Sequence, residues 1–180
     1  PTTIAGVLPV LQMPYGDDGA IDWDTLDREV DWVFENGADG VVAAMVTEVL
    51  RLTESERDTL AERLVRAARG RGPVVMSVGG ESTVQSLRHA RAAEAAGVDA
   101  LMAIPPVSIG PLPEEVIAYY EAILDATALP LVIQDASGYV GRPIPVGLMA
   151  GLYRRDPGRV GFKPEAPPLG QSLSALRDAA

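Results

Sequence analysis

The chain has 180 residues, 47% of them apolar, with a formal net charge of −10 and a sequence pI near 4.5. That length allows one domain, or at most two small ones, with an ample core. The acidic charge is spread along the whole chain, which excludes the basic patches that nucleic acid or an anionic membrane surface would need. It also means that any site for an anion must be built locally. The absence of cysteine excludes disulfides, thiolate catalysis and zinc–thiolate sites, and one histidine is too few for a transition-metal site. No stretch approaches the ~18 apolar residues of a membrane span. We therefore expect a soluble, cytoplasmic protein with neither metal nor cofactor, and with neither nucleic acid nor membrane as partner.

An apolar run over 4–11 predicts a first strand, closed by Met13-Pro14-Tyr15 and a Gly16-Asp17-Asp18-Gly19 turn. Asp22 can cap a helix in which Leu26, Val30, Val33 and Phe34 fall at helical spacing, with Gly37 as its stop. A second strand is predicted over 40–45. Thr53 followed by Glu56 then makes a capping box for a helix to about Arg69. The same unit recurs. Strands are predicted at 73–78, 100–104, 129–133 and 160–163, alternating with helices at 83–96, 113–126, 146–153 and 171–179. Strand starts about every 30 residues give the βαβ period, and short, uniformly apolar strands suit a parallel sheet covered by helices.

An open doubly wound sheet and a (β/α) barrel both fit this alternation. The first βα turn carries no glycine-rich dinucleotide fingerprint. Polar residues instead follow nearly every strand: Tyr15, Thr47-Glu48, Ser77, Gln134-Asp135 and Lys163 with Glu165. A ring of chemistry at the carboxyl ends of strands is the barrel arrangement. The expected fold class is α/β, a (β/α)8 TIM barrel of which about six βα units are present. Residues 1–180 would form a single barrel domain two units short of eight.

Lys163 is the only lysine beside fourteen arginines, and it ends the last apolar run, Val160-Gly161-Phe162-Lys163. An arginine stays protonated at any working pH, whereas a desolvated lysine amine can become a nucleophile. Lys163 is therefore the candidate for a Schiff base with a carbonyl substrate, desolvated by Val160 and Phe162. Glu165, two residues on, would share its side of an extended strand and serve as acid or base. Gln134 cannot exchange protons and is assigned to hydrogen bonds with substrate hydroxyls. Asp135 is assigned a structural role, and Glu48 is expected to be buried in its turn, accepting backbone N–H bonds. Tyr15 or Tyr139 would restore a phenol to the site. Arg142, in the same loop as Tyr139, could pair with a carboxylate but is read first as a solvated loop residue, and His89, between Arg88 and Arg91, as a surface one.

Several segments, in order, resemble the dihydrodipicolinate synthase and N-acetylneuraminate lyase family of Schiff-base lyases. Met13-Pro14-Tyr15 and Asp18-Gly19-Ala20-Ile21-Asp22 are similar to the family's opening Thr-Pro-Phe and Asp-Gly-x-Ile-Asp. Met45-Val46-Thr47-Glu48 stands where the family has Gly-Thr-Thr-Gly-Glu, and Leu52-Thr53-x-x-Glu56-Arg57 continues the match. Ile104-Pro105-Pro106 resembles the fourth-strand motif, and Lys163 stands at the Schiff-base lysine. The resemblance implies a 2-oxo acid substrate, a homo-oligomer (tetramer or dimer), and a carboxylate-binding loop at Val46-Thr47, with Thr47 the one surviving relay hydroxyl.

The departures are specific. Gln134 replaces the tyrosine after strand five, Val107 replaces the tyrosine after the fourth-strand prolines, and the Val46-Thr47 loop is one residue short. These changes favour a dehydratase or aldolase of a 2-keto-3-deoxy sugar acid. The alternatives are 4-hydroxy-tetrahydrodipicolinate synthase proper, or a non-catalytic ligand-binding homologue. The candidate site residues are Lys163, Thr47 and Glu165 for catalysis, and Val46, Thr47, Gln134 and Tyr139 for substrate.

Overall fold

The structure, a computed structural model, describes residues 4–140 and 142–180, the side chains at 139 and 140 excepted. Its strands are β1 (Val41–Ala43), β2 (Val74–Ser77), β3 (Ala100–Ala103), β4 (Leu131–Gln134) and β5 (Val160–Lys163). The helices are α1 (Trp23–Glu35), α2 (Glu54–Ala68), α3 (Thr83–Ala96), α4 (Pro113–Ala126), α5 (Ser137–Val140), α6 (Val146–Arg155) and α7 (Leu169–Ala179). The sheet order is β1-β2-β3-β4-β5, with β1 parallel to β2 and β4 parallel to β5. Each strand therefore lies beside its sequence neighbour, as in a barrel; a doubly wound sheet reverses direction at a switch point.

Five described strands stand where six were expected. The segment predicted as the first makes only an isolated parallel bridge, Val10 to Val42. Leu11 N donates to Val42 O and Val42 N donates to Pro9 O, each at 3.0 Å. Pro9 has no N–H to return, so the ladder cannot extend upstream. There Asp39 N donates to Val7 O at 2.9 Å instead.

The chain divides into two compact units, Pro1–Ser77 with Ala92–Leu101, and Val78–Arg91 with Met102–Ala180. In the first, Asp22 caps α1 by accepting from Thr25 N at 2.9 Å, and Gly37, at φ +89°, lets the chain leave the helix. The capping box on α2 forms as predicted: Thr53 Oγ1 accepts from Glu56 N at 3.3 Å and Thr53 N donates to Glu56 Oε2 at 2.8 Å. Leu26 and Val30 of α1 and Leu60 and Leu64 of α2 are fully buried. Arg57 is buried too. Its Nη1 donates to Val49 O and its Nη2 to Ser77 O, both at 2.8 Å. This guanidinium fixes the loop after β1 to the carboxyl end of β2.

In the second unit, α4 buries Val116, Tyr119, Tyr120, Ile123 and Leu124. Tyr119 and Ser86 share a hydroxyl–hydroxyl bond of 2.6 Å, and Gly80 N donates to the Tyr119 oxygen at 3.2 Å. Tyr120 donates to Ala103 O at 3.3 Å. Arg159 binds the end of α4 through Thr127 O at 2.8 Å and Leu124 O at 3.2 Å. Among the described residues, no helix is long and apolar enough to cross a membrane.

Two predictions follow from buried polar groups. Arg57→Ala leaves two carbonyls without their charged donor and is expected to destabilise the chain by about 3 kcal/mol, with Arg57→Lys recovering part of the loss; urea unfolding checks both. Tyr120 is fully buried, and desolvation, then Tyr119 and the Asp135 charge, push its phenol well above the ordinary tyrosine range. Its contribution is present below about pH 10, where the unfolded phenol is still protonated, and is lost as pH rises from there toward the folded-state value. Tyr120→Phe should therefore flatten the alkaline fall in stability, and an unchanged slope would contradict this.

Candidate active site at the ends of β4 and β5

The register of β4 against β5 pairs Leu131 with Val160, Ile133 with Phe162, and Gln134 with Lys163. Paired residues of parallel strands share a face, and faces alternate along each strand. Tyr153 of α6 packs against Phe162, ring centroids 6.4 Å apart, so Phe162 and, two residues earlier, Val160 face the helix layer. Lys163 and Gln134 lie on the opposite face. This corrects the expected source of desolvation, since Val160 and Phe162 cannot dry an amine on the other side of the strand. The Lys163 side chain keeps 40% of its exposure, against 25% for Glu165.

Three of the anticipated residues meet. Lys163 Nζ contacts Glu165 Oε1 as an ion pair. The same oxygen accepts from Gln134 Nε2 at 2.9 Å. Gln134 is 2% exposed, and its Oε1 is buried with no hydrogen-bond partner among the described residues. Past the end of β5, Glu165 reaches back to the Lys163 amine. Asp135, 1% exposed, holds that segment: Oδ2 accepts from Ala166 N at 3.1 Å and Oδ1 from Ile144 N at 3.1 Å. Asp135 N donates to Lys163 O at 3.1 Å, extending the β4–β5 ladder by one bond. The result is an amine, a carboxylate and an amide oxygen gathered beside a solvent-accessible strand end. That set can exchange a proton and can accept a hydrogen bond from a ligand.

Val46 and Thr47 belong to the other unit, in a short 3-10 turn over Met45–Thr47. Val46 is exposed and Thr47 fully buried. The Thr47 hydroxyl donates to Leu11 O at 2.6 Å and accepts from Ala44 N at 3.1 Å, fixing the turn after β1. Glu48 departs from expectation. It adopts a left-handed conformation at φ 59°, stays one-third exposed and pairs with Arg51; in that conformation its carboxylate turns outward to the arginine. Tyr15 is exposed, and its phenol is raised by desolvation and by the Glu48 and Glu56 carboxylates, with Arg51 opposing. The Tyr139 side chain lies outside the described residues. His89 is half-buried where a surface position was expected. Among the described residues, no group of three or more His, Cys, Asp or Glu could hold a metal ion.

One organising contact escapes sequence reasoning. Glu81 accepts from Val107 N at 3.2 Å, from Ser108 N at 2.9 Å and from the Ser108 hydroxyl, clamping the loop after β3. Nothing local at Glu81 signals a partner 26 residues away.

The model of the dihydrodipicolinate synthetase family matches residues 3–172. The chain is 36% identical over 136 residues to the 4-hydroxy-tetrahydrodipicolinate synthase of Cereibacter sphaeroides, covering 75% of this chain and 47% of that protein. It is 31% identical over 159 residues to the Rhizobium meliloti enzyme of the same name, covering 88% and 54%. A solved chloride-inhibited dihydrodipicolinate synthase from Acinetobacter baumannii, complexed with pyruvate, superposes with a TM-score of 0.91 at 27% identity, over 98% of this chain and 62% of that one. The chain thus spans about half the length of the curated relatives it matches, and its α/β architecture is that of their (β/α) barrel. It belongs to the dihydrodipicolinate synthetase family.

Proposed function

We propose that the chain carries the Schiff-base half of a lyase acting on a 2-oxo acid, with Lys163 as nucleophile and Glu165 as its proton partner. The observation that carries this reading is the single carboxylate oxygen shared by Lys163 Nζ and Gln134 Nε2. In the ion pair, Lys163 passes one proton to Glu165, and the neutral amine attacks the ketone carbon. Protonated Glu165 returns the proton to the carbinolamine hydroxyl, which leaves as water, giving the iminium and a carboxylate again. That carboxylate then takes a C3 proton, and the electron pair moves into the enamine.

Pyruvate is the first 2-oxo acid to test, because a relative at 27% identity was solved with it. The names of the relatives favour the synthase reaction over the 2-keto-3-deoxy sugar acid chemistry expected from the departures. The sugar-acid reading keeps one specific support: Gln134 Oε1 is buried without a partner among the described residues, and a substrate hydroxyl would satisfy it. Val46 and Thr47 are proposed as the carboxylate-binding loop, and Tyr139 as a further substrate contact. Association into a dimer or tetramer belongs to the same proposal; a single 19.0 kDa species in sedimentation would contradict it.

Reduction with borohydride in the presence of pyruvate should add the pyruvate-derived mass to the peptide holding Lys163, and Lys163→Arg should abolish the adduct. No adduct with any 2-oxo acid would favour the ligand-binding homologue. Glu165→Gln should slow deuterium exchange at pyruvate C3 by about 10²–10⁴-fold while borohydride still traps an adduct; unchanged exchange would remove Glu165 from the chemistry. Gln134→Leu should cost about tenfold in turnover of a 2-keto-3-deoxy sugar acid and leave pyruvate exchange in place. Equal effects on both would count against the sugar-acid reading.

A further inference from the structure

A cavity lies within the Val78–Arg91 and Met102–Ala180 unit. Its volume is about 400 Å³, and its walls are the loop after β3 and the segment from Arg142 into α6. Prolines form much of the surface, among them Pro105, Pro111, Pro143 and Pro145. Proline brings no N–H donor, so these walls are apolar as well as stiff. Ser108, which also lines the cavity, has committed both its N–H and its hydroxyl to Glu81. Both walls are anchored from behind, one by Glu81 through Val107 and Ser108, the other by Asp135 through Ile144 N.

Arg142 is the single charged side chain among its lining residues. No hydrogen bond or ion pair occupies its guanidinium among the described residues. The chain carries 25 acidic residues against 15 basic ones, so a carboxylate partner was abundant in composition and is not used here. The guanidinium is seated across Gly110: a Cβ at that position would lie 3.0 Å from Nη1 and 3.1 Å from Cζ and Nη2. A glycine there permits the close approach that brings the cation against the cavity wall.

We propose that this cavity is a binding site for a small carboxylic acid with an apolar ring or chain, its carboxylate paired with Arg142 and its body against the prolines. The fork of a guanidinium matches a carboxylate bidentately, and the locally built cation overcomes the chain's unfavourable far field. Lys163, Glu165 and Gln134 are not among its lining residues.

The probe is 3-phenylpropionate, added to the ¹⁵N-labelled 180-residue chain, with 3-phenylpropionamide as the neutral control. The acid should shift the amide signals of Ser108, Gly110 and Ile144 in a saturable way, and the amide should bind at least about tenfold more weakly. Arg142→Gln, at an exposed position that leaves thermal unfolding unchanged, should lower affinity for the acid by a similar factor. Gly110→Val, which displaces the guanidinium, should do the same, while Lys163→Ala should not. Equal binding of acid and amide, loss of binding only in Lys163→Ala, or no saturable shift at millimolar acid would each overturn the assignment.

Discussion

The pairing of Gln134 with Lys163 across β4 and β5 is the constraint on which the candidate site depends. A slip of one residue would set Ile133 beside Lys163 and turn Gln134 to the helix-facing side, because side-chain direction alternates at every step of a strand. Packing fixes the register. Phe162 lies against Tyr153, Ile133 is completely buried, and Asp135 N continues the ladder onto Lys163 O. The apolar face thus determines where the polar face presents its amine, its amide and, just past the strand end, its carboxylate.

Asp135 carries that order beyond the sheet. It is almost wholly removed from solvent, a costly position for a carboxylate unless each oxygen has a donor. Its donors come from two different loops, Ile144 N and Ala166 N. One buried charge therefore holds the Glu165 turn and one wall of the Arg142 cavity. The two features share a scaffold without sharing residues.

Much of this was legible in the sequence. The βα period, the Asp22 and Thr53 caps and the Gly37 stop are local signals, and each reads directly into an element. The solitary lysine was legible in composition alone, and the Lys163-x-Glu165 spacing brings the pair together although Glu165 lies past the end of β5. What failed was non-local. Pro9 shortens the first strand because it has no N–H to give to a neighbouring strand that the sequence does not name. Val160 and Phe162 looked like the amine's apolar surroundings until alternation and Tyr153 placed them on the other face. Glu48 is the local exception: in place of the expected burial it takes a left-handed backbone and pairs with Arg51, three residues on. The Gln134–Glu165 bond and the Glu81 clamp depend on partners more than twenty residues away.

Because the chain contains one lysine, its amine can be watched without mutation. Labelling lysine with ¹³C at Cε gives one signal in a carbon spectrum, that of Lys163. On addition of pyruvate, the account predicts that this signal is replaced, in a saturable way, by one at the position of an N-alkylated imine. A lysine signal that stays unmoved at saturating pyruvate, in a chain that remains folded, would contradict Lys163 as the nucleophile.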